Sequence, residues 1–328
     1  MNHETVLVTG GAGYIGSHAV HALLASGRKV VVIDRDKKAC DHLSKTFSRR
    51  KNKPQVHCCD IDNDVWVDGI IENEKPTAVM HFAADICVPE SVQNPLKYYS
   101  NNTAKTIRFL DKIIKHGIYR FIFSSTAAVY GMPPEEHIVE QTPCQPINPY
   151  GQSKLMVEHV LKKISQSIPA FEYTSFRYFN VAGAHISGRI TDPNWRDKLN
   201  IVPMFLSRIL YKDGKVDVYG TDYDTQDGTC VRDYVHPEDI ISAHMIALDS
   251  DVSGVYNLGS GKGYSVWNVV ENFVSVTGKE LDVIHKPRRS GDPSVLIANS
   301  DRFRNISGWE PTYSLKDMIA TAWKAYGK

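Results

Sequence analysis

The chain carries almost no net charge: 38 Lys and Arg stand against 37 Asp and Glu in 328 residues, a formal +1. With no global field there is nothing to draw in nucleic acid or an anionic membrane, so neither is expected as a partner, and an anionic ligand must be held by local groups. Cysteine is sparse. The six thiols (Cys40, Cys58, Cys59, Cys87, Cys144, Cys230) form no C-x-x-C pair and no Cys/His cluster at metal-ligand spacing, so no metal is expected. Adjacent Cys58 and Cys59 allow a strained vicinal disulfide or two ordinary thiols; their place at a strand end favours thiols, which points to a reducing compartment and the cytoplasm. The stretch from Met1 to Thr9 lacks a basic flank, a long apolar region and a small-residue cleavage site, so a mature, soluble protein is expected. Repeats and low-complexity tracts are missing too.

What is present is an alternation of short Val/Ile-rich runs with longer helical patterns. Strands are expected at 5–8, 29–34, 56–59, 78–82, 120–124 and 172–178, and helices at 15–26, 37–50, 65–74, 95–116 and 150–167. Such a rhythm means a parallel sheet covered on both faces by helices. Beyond residue 180 the pattern breaks into Gly/Asp/Pro-rich stretches, 185–200 and 220–228, that read as substrate-binding loops, whereas 237–248 and 255–258 read again as a helix and a strand of the main sheet. The expected fold is α/β: a doubly wound parallel-sheet Rossmann domain over 1–180, with elements returning around 235–260, and a smaller mixed α/β C-terminal substrate domain over 181–328.

Gly11-Ala12-Gly13-Tyr14-Ile15-Gly16 fits G-x-G-x-x-G after the first strand, and Gly10, Gly13 and Gly16 give the wider G-x-x-G-x-x-G spacing. Absent side chains let the turn tighten and let backbone N–H groups at the helix N-terminus meet a pyrophosphate, although a Gly-rich turn alone can be mere packing. Asp34, closing the second strand, adds a carboxylate for both ribose hydroxyls of an adenosine and repels a phosphate there. NAD is therefore favoured over NADP, while the adjacent Arg35 partly offsets the repulsion. Asp60 can receive the adenine amine, with Ile61 over the ring, or can equally be an N-cap or turn residue of the next helix.

Tyr150 and Lys154 form Y-x-x-x-K at a helix start, on one face. A phenol is a poor base at neutral pH, but a neighbouring ammonium and the positive nicotinamide ring both favour phenolate, so Tyr150 can take a hydroxyl proton as hydride leaves for the cofactor. Lys154 would also hold the nicotinamide ribose. Ser124-Ser125-Thr126 closes a strand whose end faces the same crevice, and Thr126 can orient the reacting oxygen. By itself Y-x-x-x-K is usually a solvated helix face; the fingerprint, Asp34 and the strand-end hydroxyls, in that order, give it meaning.

Long, unusual motifs run nearly end to end: TGGAGYIGSH (from Thr9), HFAA (His81), PESV (Pro89), YYSNN (Tyr98), FSSTAAVYG (Phe123), NPYGQSKLMVE (Asn148), RYFNVAGAH (Arg177), DGTCVRDYVH (Asp227) and RRSGDP (Arg288). On these the chain resembles the extended short-chain dehydrogenase/reductase family and, within it, the UDP-glucose 4-epimerase (UDP-galactose 4-epimerase) family. The resemblance implies NAD-dependent interconversion of UDP-glucose and UDP-galactose: C4 is oxidised, the 4-keto sugar turns over while UDP stays anchored, and hydride returns to the other face. It implies a cofactor shell of Gly10, Gly13, Tyr14, Ile15, Gly16, Asp34, Asp60, Ile61, Phe82, Ala83, Ala84, Asn101, Ser124, Tyr150, Lys154, Tyr178 and Phe179. It implies UDP-sugar contacts from Thr126, Asn180, Asn200, Ile201, Tyr219, Arg232, Arg289 and Asp292. Arg232 and Arg289 offer guanidinium forks to a diphosphate, Tyr219 a face for uracil and Asp292 an acceptor for ribose hydroxyls; without the resemblance, a surface pair between Arg232 and Asp233 would be favoured.

Two departures stand out. Ala84-Asp85-Ile86 replaces the Gly-Leu-Lys of some members, removing a basic contact to the cofactor phosphates. Leu296 is of intermediate size at a position whose bulk gates N-acetylated sugars in relatives, which keeps UDP-N-acetylhexosamine open, as it does a UDP-pentose. A 4,6-dehydratase would need an Asp-Glu pair after the triad Thr, where this chain has Ala127-Ala128. A non-catalytic NAD-binding module would commonly lack Tyr or Lys, and both are present. Members of the family are commonly homodimers through a four-helix bundle, here built from 95–116 and 151–167.

Overall fold

A computed structural model describes residues 4–198, 200–211, 214–289 and 291–327; residues 1–3, Leu199 and Ser290, which fall in stretches singled out above, lie outside them. The Val/Ile-rich runs become strands β1 (Thr5–Thr9), β2 (Lys29–Asp34), β3 (Gln55–Cys58), β4 (Ala78–His81), β5 (Arg120–Thr126), β6 (Glu172–Tyr178) and β7 (Gly254–Leu258), joined in one seven-stranded sheet of order β7-β6-β5-β4-β1-β2-β3. The ladders from β3 through β2, β1 and β4 to β5 are all parallel, with Val6 opposite both Val30 and Ala78. Every residue of β1 and β4 is buried, as uninterrupted apolar strands require when helices cover both faces. Leu7, Val31, Phe109, Phe121 and Leu161 share one of the resulting cores. The strand order reverses at β1, and the C-terminal ends of β1, β2, β4 and β5 carry Thr9, Asp34, His81 and Thr126; a ligand of an open α/β sheet lies outside such ends.

The helix expected over 95–116 is a composite: a turn of α-helix at Pro95–Tyr98, a π-helical stretch at Tyr99–Ala104, and α-helix at Lys105–Lys115. Within the wide turns Asn102 faces inward, its Oδ1 accepting from the Asp85 N–H (2.8 Å) and its Nδ2 donating to the Asp85 carbonyl (2.9 Å) and Ser153 Oγ (3.2 Å). Wide turns of this kind are frequent where a helix borders a functional site. The helix expected over 37–50 is shorter, Lys37–Thr46, capped by Asp36, which accepts the Ala39 N–H at 3.0 Å.

Two compact units result. The first is Met1–Val129, Asn148–Arg177 and Ile241–Tyr256; the second is Tyr130–Ile147, Tyr178–Ile240 and Asn257–Lys328. In the second, the strand Val231–Val235 pairs antiparallel with Gly263–Ser265 and parallel with Val295–Ala298 and Asn180–Val181, while Lys215–Tyr219 and Asp282–Lys286 form a separate parallel pair. Its core gathers Phe205, Phe273, Met318 and Ile319. Asp233 is its polar hub, buried and accepting the N–H groups of Ser260, Gly261 and Ala298 and the Ser260 hydroxyl; burial pushes this carboxyl up to about 6. Among the described residues no helix is long and apolar enough to cross a membrane.

Candidate active site

At the end of β1 the chain turns back on itself so tightly that only glycine fits. Gly10 has φ +67°, and a Cβ there would stand 2.6 Å from the Ala83 nitrogen; a Cβ on Gly16 would stand 2.2 Å from the Gly10 carbonyl oxygen. The helix Tyr14–Ala25 that follows has Gly13 at its N-cap, which offers no side chain to cap it. Tyr14 packs edge-on against His18, and Ile15 is half-buried beside it. At the end of β2 the Asp34 carboxylate accepts the N–H of Ala12 (3.1 Å) and of Asp36 (3.0 Å), and burial pushes its pKa up. Lone pairs remain on both oxygens for vicinal hydroxyls. A bare Gly turn, an uncapped helix N-terminus and an adjacent half-buried carboxylate are what the pyrophosphate and adenosine ribose of a dinucleotide require, so the residues fit NAD.

Asp60 is a turn residue before the next helix and not its cap. The next helix, Asp64–Glu74, is capped by Asn63, while Asp60 accepts the Asp62 N–H and pairs with Lys105 at 2.5 Å. Ile61 is buried. Phe82 stacks on His244 (5.2 Å between ring centroids), and Ala83 and Ala84 continue the loop against the Gly turn. Arg35 does not stand free near Asp34: it donates to Asn101 Oδ1 (2.7 Å) and to Asp85 Oδ1 (2.5 Å).

Tyr150 and Lys154 lie in the helix Pro149–Ser167, started by Pro149 and capped by Asn148, which accepts the Gly151 N–H at 2.9 Å. Thr126 closes β5, and its Oγ1 accepts the Ala128 N–H at 3.1 Å. Burial pushes the Tyr150 phenol up, with the nearby Thr126 hydroxyl working the other way. Lys154 is 2 % exposed, donates to the Ser124 carbonyl at 2.7 Å and lies 4.8 Å from the Phe123 ring centre. Burial lowers its ammonium to about 7, against the pull of Glu158 one turn on. The expected Thr-Tyr-Lys constellation is thus assembled.

Sequence reasoning passed over Glu158 and Arg177. Both are buried and paired at 2.6 Å, and the Ser125 hydroxyl donates to the same carboxylate. This pair fastens the helix Pro149–Ser167 to β5 and β6, and the i, i+4 spacing of Glu158 from Lys154 was its only sequence signal.

In the second unit Arg232 donates to Asp292, not to its neighbour Asp233, and also to the carbonyls of Val231 (2.6 Å) and Pro293 (2.5 Å). Arg289 lies over the Tyr219 ring at 4.0 Å, and Tyr223, unforeseen, donates to Asp292 at 3.4 Å. Asn180 donates to the Asp233 carbonyl at 3.1 Å. Asn200 is exposed just before Ile201, which opens the helix Ile201–Tyr211. Tyr178 and Phe179 are buried at and after the end of β6.

The sequence profile of the NAD dependent epimerase/dehydratase family matches residues 6–259. The chain belongs to that family. Among its epimerase relatives, the UDP-glucose 4-epimerase of Lactobacillus helveticus is 43 % identical over 97 % of this chain and 96 % of its own length, and that of Bacillus subtilis is 38 % identical over 97 % and 96 %. A UDP-glucose 4-epimerase crystal structure from Stenotrophomonas maltophila, with bound NAD and formylated UDP-arabinopyranose, superposes with a TM-score of 0.93 at 34 % identity, covering 99 % of this chain and 98 % of that one. A Campylobacter jejuni UDP-Glc/GlcNAc 4-epimerase gives 0.83 at 40 % identity, covering 99 % and 98 %. The family's use of NAD accounts for why a Gly turn, a strand-end carboxylate and a Tyr-Lys pair stand together in one unit.

Proposed function

We propose that this epimerase interconverts UDP-glucose and UDP-galactose at C4, and that Tyr150, beside Thr126 and four residues from a buried Lys154, is the acid and base of the reaction. That constellation carries the reading. NAD, when bound, takes the C4 hydride and gives it back. Thr126 orients the sugar hydroxyl, Tyr150 removes its proton and later restores it, and Lys154 holds the nicotinamide ribose. Asn180, Asn200, Ile201, Tyr219, Arg232, Arg289 and Asp292 hold the UDP part, which leaves the sugar free to turn. A wider substrate range is a second reading. Half-buried Leu296 sits opposite Arg232 in the parallel ladder, so its size bears on what can be carried next to a bound diphosphate.

The test is to supply UDP-galactose, UDP-N-acetylgalactosamine and UDP-arabinose with NAD and follow epimer formation. UDP-glucose is the expected main product; no epimer from any UDP sugar, with NAD bound, contradicts the proposal. The free thiols, which suit a reducing compartment, support reading the protein as a cytoplasmic enzyme of galactose metabolism.

A homodimer belongs to the same proposal. Leu96 (78 % exposed), Ile107 and Met156 are apolar side chains left in solvent on the composite helix and the catalytic helix, the pieces of a four-helix bundle with a second copy. Sedimentation should give twice the chain mass for the parent and a monomer for Leu96→Glu/Ile107→Glu; a monomeric parent at micromolar concentration contradicts the dimer.

A further inference from the structure

A dinucleotide brings a pyrophosphate dianion to the turn at 10–16, and the charges nearest that turn are mostly of the wrong sign. Asp34 and Asp36 lie at the end of β2, and Asp85 lies in the loop whose Ala83 nitrogen abuts Gly10. That loop, 82–86, has no basic residue. Lys105 is engaged by Asp60 at 2.5 Å, and Lys154 is buried against Ser124 and Phe123. A dianion held by backbone N–H groups alone, with three carboxylates nearby, would be poorly balanced.

Arg35 supplies the missing charge. It starts at the end of β2, and its guanidinium ends on Asp85, beyond β4, and on Asn101 in the π-helical turn. In the sheet β1 stands between β2 and β4, so a side chain joining their C-terminal ends passes over the end of β1, where the Gly turn begins. The two contacts use two of the five guanidinium N–H donors and fix the fork. With its side chain 48 % exposed, the rest of the fork is open to a ligand. The Asn102 side chain, bonded to both backbone groups of Asp85, makes the anchor rigid.

We propose that Arg35, anchored by Asp85 and Asn101, is the cation that binds the cofactor pyrophosphate in this chain, replacing a basic residue that the loop 82–86 does not provide. The proposal rests on the family's use of NAD and not on which sugar is epimerised. It makes Arg35 a pyrophosphate ligand, not a 2′-phosphate ligand. Asp34 keeps the ribose end hostile to NADP while Arg35 is held away from it.

Binding of NADH, ADP-ribose, adenosine and NADPH to the purified protein tests this by fluorescence and calorimetry. Arg35→Gln is expected to weaken NADH and ADP-ribose by about 10–100-fold, to leave adenosine unchanged, and to flatten the salt dependence of NADH binding. Arg35→Lys, which keeps the charge and loses the fork, is expected to fall between the two. NADH affinity within twofold of the parent, with or without a lower melting temperature, would make Arg35 only a staple between strand ends and overturn the proposal. A change confined to NADPH would place the guanidinium at the 2′ position and overturn it equally. Unchanged adenosine binding serves as the check that each variant is folded, and none of these readouts depends on epimerase activity.

Discussion

Tyr150→Phe is expected to lower the turnover of UDP-galactose about a thousandfold while leaving NADH affinity within a few-fold of the parent. The substitution removes one oxygen and keeps the ring, so the packing of the helix Pro149–Ser167 and the edge contact with Tyr98 persist. Only the proton carrier is lost. Thr126 retains its bond to the Ala128 N–H, but an aliphatic hydroxyl is far too weak an acid or base to take over at neutral pH. Because burial holds the phenol above its ordinary value, the parent's rate should rise with pH as the phenol ionises, and the variant's residual rate should lack that limb. A pH-rate profile of both proteins checks this. A variant that keeps more than a tenth of the parent rate would remove Tyr150 from the chemistry.

Lys154→Met should cost about 10²–10³ in turnover and, unlike Tyr150→Phe, should make the NAD-stripped protein more resistant to heat at pH 7. The reason is the cost of burying an ammonium. In the folded chain Lys154 is pulled from its ordinary 10.5 to about 7, so between those two pH values the unfolded chain binds a proton that the folded chain has released. Stability from this group therefore rises with pH across that window, and the full cost is carried at and below its lower edge. Met escapes the cost but forfeits the bond to the Ser124 carbonyl and the contact with the Phe123 ring. A net gain of about 1–3 kcal/mol remains at pH 7 and vanishes by about pH 10. Melting curves of both proteins at the two pH values decide it. A variant less stable than the parent at pH 7 would mean that Lys154 is comfortably charged where it lies.

Both predictions depend on features that were readable in the chain because they are local. The Gly turn is dictated by three glycines and the strand before it, and Y-x-x-x-K needs only one helical turn to align. Boundaries of β2 and β6 follow from runs of β-branched and aromatic residues. Other parts depend on partners far away in sequence. Arg35 meets Asp85 fifty residues on, and Glu158, in the helix Pro149–Ser167, meets Arg177 nineteen residues on in β6; no period announces either pairing. The π-helical turns at Tyr99–Ala104 look like ordinary helix in sequence, because Asn102 widens the backbone through its bonds to a distant loop. The pairing of Arg232 with Asp233 was excluded by a rule available from the start. Neighbours on a strand point to opposite faces, so Arg232 turns toward Asp292 while Asp233 turns into the core of its unit. Asp60 failed as a cap because Asn63, directly before Asp64, is the residue in capping position.

In the proposed reaction C4 of the sugar loses its hydrogen with both bonding electrons and regains the same hydrogen on the opposite face. UDP-galactose carrying deuterium at C4, turned over in unlabelled water, tests that most directly. The account predicts UDP-glucose with the deuterium retained at C4 in nearly every molecule, since Tyr150 exchanges only the hydroxyl proton with solvent. Deuterium lost to water would mean that C4 or its neighbour is deprotonated instead, and would contradict the account.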